Sequence, residues 1–61
     1  MTNYKVGQQV YVKEWTTWYL GTITDVLNGL LIIEANGHKH WLRADYVSEQ
    51  QKQLDKMVVK Q

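Results

Sequence analysis

The chain has no cysteine, no proline and no phenylalanine among its 61 residues. Without cysteine there is no disulfide, no thiolate zinc ligand and no nucleophilic thiol, so apolar packing alone must hold the core. Charge of one sign is also lacking: seven Lys+Arg against six Asp+Glu leave a formal net charge of +1. That is far from the basic excess of a protein that coats DNA generically, so any basic patch must be local. The longest apolar run, Leu30 to Ile33, is too short to span a bilayer, and Met1-Thr2-Asn3-Tyr4-Lys5 has no basic segment followed by an apolar stretch. A soluble, cytoplasmic chain without a membrane partner is expected. There is no Gly-rich phosphate loop, no nucleophile elbow and no obvious carboxylate pair, which argues against an enzyme. A domain of this size buries only about 60% of its unfolded surface, leaving little to wall off a deep pocket. Binding at the surface is the expected mode of action, with no cofactor.

What is present is punctuated by two Asn-Gly dipeptides, Asn28-Gly29 and Asn36-Gly37, with a β-branched apolar run between them. Asn-Gly favours the type I′ hairpin turn, because both central residues need φ > 0 and the turn's twist matches that of the flanking strands. Three antiparallel strands follow, over Trp18 to Leu27, Leu30 to Ala35 and His38 to Leu42. Gly7 to Lys13 alternates as a further half-buried strand, entered through a turn at Val6-Gly7 and joined to the next by Trp15-Thr16-Thr17. Tyr46-Val47 reads as a short fifth strand. From Ser48 the composition shifts to straight-chain helix formers, with Ser48 placed as an N-cap and Gln51 completing a capping box. Only Leu54, Met57 and Val58 share a helical face. Such a helix packs on its own sheet, mediates a weak homodimer or stays mobile, and a helix this short is marginal by itself.

Two-residue turns fix register, so Ala35 should pair with His38, Glu34 with Lys39, Ile33 with His40, Ile32 with Trp41 and Leu31 with Leu42. The face carrying Leu31, Ile33, Ala35, His38, His40 and Leu42 has no formal charge and is assigned inward. The opposite face has three ionisable residues whose unpaired burial would cost several kcal/mol each. Ile23 and Val26 both point inward only if a β-bulge lies near Thr24-Asp25, a bend that also helps a sheet close. Gly21 lets another strand approach closely. The expected core is Val10, Val12, Ile23, Val26, Leu31, Ile33, Leu42 and Val47.

The aromatic residues are three Trp and four Tyr, side chains with a polar tip that suits half-wet surfaces. Trp15, Trp18 and Tyr19 cluster at the first loop and second strand. They read either as plugs of an open barrel end or as a stacking platform. Trp41 lies between Lys39 and Arg43 on the outward face, with Lys13 adjacent through the first strand, an arrangement suited to phosphates plus a base. The plainer alternative pairs Lys39 with Glu34 and stacks Arg43 on Trp41. His38 and His40 supply only two of the four ligands zinc usually takes, so no metal site is expected.

The succession Val6-Gly7-Gln8-Gln9-Val10-Tyr11-Val12-Lys13, Trp18-Tyr19-Leu20-Gly21-Thr22-Ile23, Ile32-Ile33-Glu34-Ala35-Asn36-Gly37, Trp41-Leu42 and Asp45-Tyr46-Val47 resembles the SH3-like barrel superfamily. Within it, the C-terminal DNA-binding domains of retroviral and retrotransposon integrases look most similar. Tudor-type domains, which read methylated side chains, share the pattern of Tyr19, Gly21 and Ile23. The plan of a small barrel with a terminal helix also resembles the seven-kilodalton archaeal chromatin proteins. The resemblance implies an all-β, five-stranded SH3-like barrel over residues 1–48, followed by a short C-terminal α-helix or tail over 49–61. It implies a nucleic-acid-binding module, DNA rather than RNA, with Lys13, Trp15, Trp18, Tyr19, Lys39, Trp41 and Arg43 at the contact surface. The alternative is a module that grips a peptide or a partner subunit.

Overall fold

The computed structural model describes residues 3–58, with only the backbone of Val58. Four strands, β1 (Gln9–Glu14), β2 (Thr17–Leu27), β3 (Leu30–Ala35) and β4 (His38–Arg43), are followed by one helix, α1 (Ala44–Val58). The strands form one antiparallel sheet in the order β1-β2-β3-β4. Each connection is therefore a hairpin.

Both Asn-Gly pairs have positive φ at both residues, 50° and 87° for Asn28-Gly29 and 52° and 77° for Asn36-Gly37. This is the type I′ geometry that their composition favours. The β3–β4 register is the one those turns dictate, from Ala35 opposite His38 to Leu31 opposite Leu42. In the β2–β3 pair, Ile23 faces Ile33 but Asp25 faces Ile32, so Thr24 is the extra residue of a bulge. Thr24 ties the bulge down by donating its hydroxyl to the Ile32 carbonyl at 3.2 Å. The bulge restores phase, so that Ile23 is fully buried and Val26 still packs against the core.

Six of the eight expected core residues are buried: Val10, Val12, Ile23, Leu31, Ile33 and Val47. Val26 and Leu42 are half-buried against them, and Ala35 joins the core. Gly21 lies in the middle of this layer. A Cβ there would stand 2.8 Å from Ile33 Cγ2, 2.9 Å from Ala35 Cβ and 3.0 Å from the Glu34 carbonyl.

The region after β4 differs from expectation. Tyr46 and Val47 are not a fifth strand; they belong to the first turns of α1, which starts at Ala44 and not after Ser48. The first helical N–H, that of Ala44, donates to the Gly29 carbonyl at 2.8 Å, and Asp45 places negative charge at the helix N-terminus. The sheet is consequently four-stranded and unclosed. The helix face turned to the sheet carries buried Val47 with half-buried Ala44, Ser48, Gln51 and Leu54, at i+3 and at i, i+4, i+7 and i+10. Met57 is exposed, and the side chain of Val58 lies outside the described residues, as does the tail over 59–61.

The two polar members of that face make specific contacts. Ser48 Oγ is 2.9 Å from the Tyr4 hydroxyl, bracing the N-terminal segment against the helix. Gln51 accepts from the Tyr11 N–H at 3.1 Å and donates to the Tyr11 carbonyl at 2.8 Å. Its side-chain amide thus satisfies both backbone groups of one residue on the free edge of β1, as a neighbouring strand would. Docking on the sheet, rather than intrinsic propensity, accounts for the stability of a 15-residue helix.

Substituting Gly21 by Ala should cost about 1–3 kcal/mol by overpacking. The whole domain should be stable by roughly 3–9 kcal/mol, so the loss will show as a clear fall in the urea midpoint.

Candidate functional site

The candidate site surrounds the open side of the sheet, where the outer edges of β1 and β4 stand without a strand between them. A small cavity of about 50 Å3 lies there, lined by Val12 and Lys13 of β1, His40 and Leu42 of β4, and Tyr46 and Gln50 of α1, among others. On the inner side the two edges are linked by side chains. Glu14 accepts a hydrogen bond from His40 Nε2 at 2.7 Å, from the Asn36 side-chain amide at 3.2 Å and, more weakly, from His38 Nδ1 at 3.4 Å. The Asn36 amide lowers the Glu14 pKa most. Partial burial works against it, and the His40 and His38 imidazoles lower it further. Among the described residues no cluster of three acidic, His or Cys side chains is arranged to hold a metal ion.

The residues singled out in the sequence fall in different places. Lys39, Trp41 and Arg43 share the outward face of β4, on the edge strand, and Trp41 is 59% exposed. Lys13 and Trp18 are opposite each other on the outward face of β1 and β2, where the Lys13 ammonium sits 5.8 Å from the centre of the Trp18 ring. Through the sheet, two strands lie between Lys13 and β4; across the opening, it lines the same cavity as His40 and Leu42. Trp18 is half-buried, and its indole N–H is buried without a partner. Tyr19, opposite Val12, faces inward and packs on the core.

Trp15 occupies the β1–β2 turn, which is two residues long, Trp15-Thr16, rather than three. It is 95% exposed and has φ of 59°. Among the described residues, positive φ occurs at Trp15 and not at Thr16, the type II′ pattern, whose first position ordinarily holds glycine. Positive φ at a bulky non-glycine residue costs on the order of 1–3 kcal/mol. This side chain therefore gains no burial in return for its strain.

The cations are locally balanced. Arg43 Nε is 3.5 Å from Asp45 Oδ1, with both side chains about three-quarters exposed, and the arginine does not stack on Trp41. Lys39 is in register with Glu34, although no ion pair joins them. Asp25 is in register with Ile32 beside Trp41 on the same outward face. The sequence reading missed Glu14, Tyr46 and Gln51. Glu14 was signalled by parity, since it continues the inward alternation of Val10 and Val12.

No protein-family model matches the chain, and no curated protein or solved structure is significantly similar to it. Among the described residues, no helix is long and apolar enough to cross a membrane.

The lowered Glu14 pKa predicts the sign of an acid transition. Its contribution is fully present above the ordinary value near 4.5 and is lost as pH falls through the lower folded value. Unfolding midpoints measured from pH 6 to pH 3 should fall more steeply for the parent than for Glu14→Gln.

Proposed function

We propose that this protein is a non-enzymatic binding module that contacts a protein partner through the aromatic surface around the open side of its sheet and the Trp15 hairpin tip. The observation that carries the reading is Trp15, fully exposed and held in a backbone conformation that tryptophan disfavours. Neither packing nor local geometry accounts for that residue, and unfavourable conformations held at the surface cluster at binding sites. Tyr11, Trp41 and Tyr46 are large, exposed side chains near the opening, and Trp and Tyr are enriched where protein interfaces concentrate their binding energy.

Charge decides the class of partner. On the outward face and its margin, Lys13, Lys39 and Arg43 are offset by Asp25, Glu34 and Asp45, and the chain as a whole carries +1. A phosphate backbone presents charge continuously along its length and needs a wider spread of cations than these three, which are interspersed with acids.

A second reading, DNA binding by an SH3-like fold, is favoured by one specific observation, the Lys39-Trp41-Arg43 footprint on a single face. It requires all three cations, Lys13 included, to meet phosphates. Affinity would then fall about 40-fold between 50 and 200 mM salt. The resemblance of the strand motifs to integrase C-terminal domains favours this second reading.

The experiment is photo-cross-linking in cells, with a photo-reactive side chain at position 15 or 41. Adducts sensitive to protease and resistant to nuclease are the expected result; nuclease-sensitive adducts would establish the second reading instead. In parallel, Trp15→Gly should raise stability by about 0.5–1 kcal/mol, by relieving the left-handed strain at some cost in chain entropy. A control photo-reactive group at position 41 should nevertheless lose its adduct in that variant. A Trp15→Gly protein that is less stable than its parent would show that the side chain serves the fold.

A further inference from the structure

We propose that the free edge of β4 receives an extended acidic segment of the partner, which adds to the sheet as its fifth strand. This inference rests on the protein-partner reading above and specifies how the partner is held. The two-residue turn makes Ala35 and His38 a hydrogen-bonded pair, so His38, His40 and Leu42 direct their backbone groups toward β3. Lys39, Trp41 and Arg43 direct theirs away from the sheet, and among the described residues nothing pairs with them. The opposite edge is different, because Gln51 already occupies both backbone groups of Tyr11. The helix thus occupies the β1 edge at Tyr11, while the outward backbone groups of Lys39, Trp41 and Arg43 on β4 have no partner among the described residues.

The side chains along the open edge select the occupant. If a second copy paired antiparallel about Trp41, Lys39 of each copy would face Arg43 of the other, and like charges directly opposite are destabilising. Edge lysines are a common device against such self-pairing. A strand with carboxylates at those two positions and an apolar or aromatic residue between them converts both repulsions to attractions and covers Trp41. The Arg43–Asp45 pair is long and exposed, and such pairs contribute little, so a partner carboxylate can displace it. On the inner side the Glu14–His40 link spans the opening. Partner residues that point inward there must be small. The geometry therefore describes a segment alternating small residues with an acid, an apolar residue and a second acid.

The test uses the full chain, labelled with 15N, and the synthetic peptide Thr-Glu-Thr-Tyr-Thr-Glu-Thr with blocked ends. At saturation, amide exchange at Lys39, Trp41 and Arg43 should slow at least about tenfold, the protection of a newly formed strand pair. The same peptide with lysine for glutamate should leave them unchanged. The double variant Lys39→Glu/Arg43→Glu alters only exposed side chains. It should bind the glutamate peptide roughly tenfold more weakly and prefer the lysine peptide. Indole shifts without protection of these three amides would overturn edge addition while leaving the aromatic surface reading intact. Equal binding of both peptides, or no response at millimolar peptide, would also overturn it. The cross-linking experiment judges the underlying reading separately.

Discussion

Two Asn-Gly turns determine nearly everything else in this protein. Each leaves the chain only one register for the strands it joins, and register decides which side chains meet. Once Ala35 is opposite His38, the run Leu31, Ile33 and Ala35 must share a face with His40 and Leu42. Curvature then comes from two local devices, the bulge at Thr24 and the missing side chain at Gly21. Together they curl four strands around seven buried side chains, six of them on the strands and the seventh, Val47, on the helix.

The sheet does not close, because the chain turns helical directly after β4. The helix supplies Val47 to the core and Gln51 to the β1 edge, which are the two things a fifth strand would otherwise provide, apolar burial and edge hydrogen bonds. The substitution is unequal. β1 is capped at Tyr11, whereas the β4 edge carrying Lys39, Trp41 and Arg43 is unpaired among the described residues. Function on this account follows from the way the fold is finished rather than from a pocket. That is what a small domain with little interior can offer.

The parts of the structure governed by short-range rules were legible in the sequence. Turn chemistry gave the hairpins and their register, and the three-residue spacing of Ile23 and Val26 gave the bulge. The helix start was not legible, because two members of its sheet-facing stripe, Ser48 and Gln51, are polar and escape an apolar periodicity. Their value lies in partners more than 40 positions away, Tyr4 and Tyr11, which no local pattern contains. Tyr46-Val47 looked like a strand for the same reason, being a β-favouring pair whose fate the helix decides. At the site, register alone places Lys39, Trp41 and Arg43 in one outward row. Tyr19 was grouped with Trp18 by adjacency, yet adjacent strand residues face opposite ways. The strain at Trp15 depends on the turn being two residues long instead of three, a difference the sequence does not display.

The central claim is that one sheet edge is masked and the other is open. The direct measurement is residue-resolved amide hydrogen exchange on the free protein at dilute and high concentration. The account predicts protection at Tyr11, from Gln51, and fast exchange at Lys39, Trp41 and Arg43 at both concentrations. Protection of those three amides in the free protein would contradict it, showing that β4 is already paired, with a further segment of the chain or with a second copy.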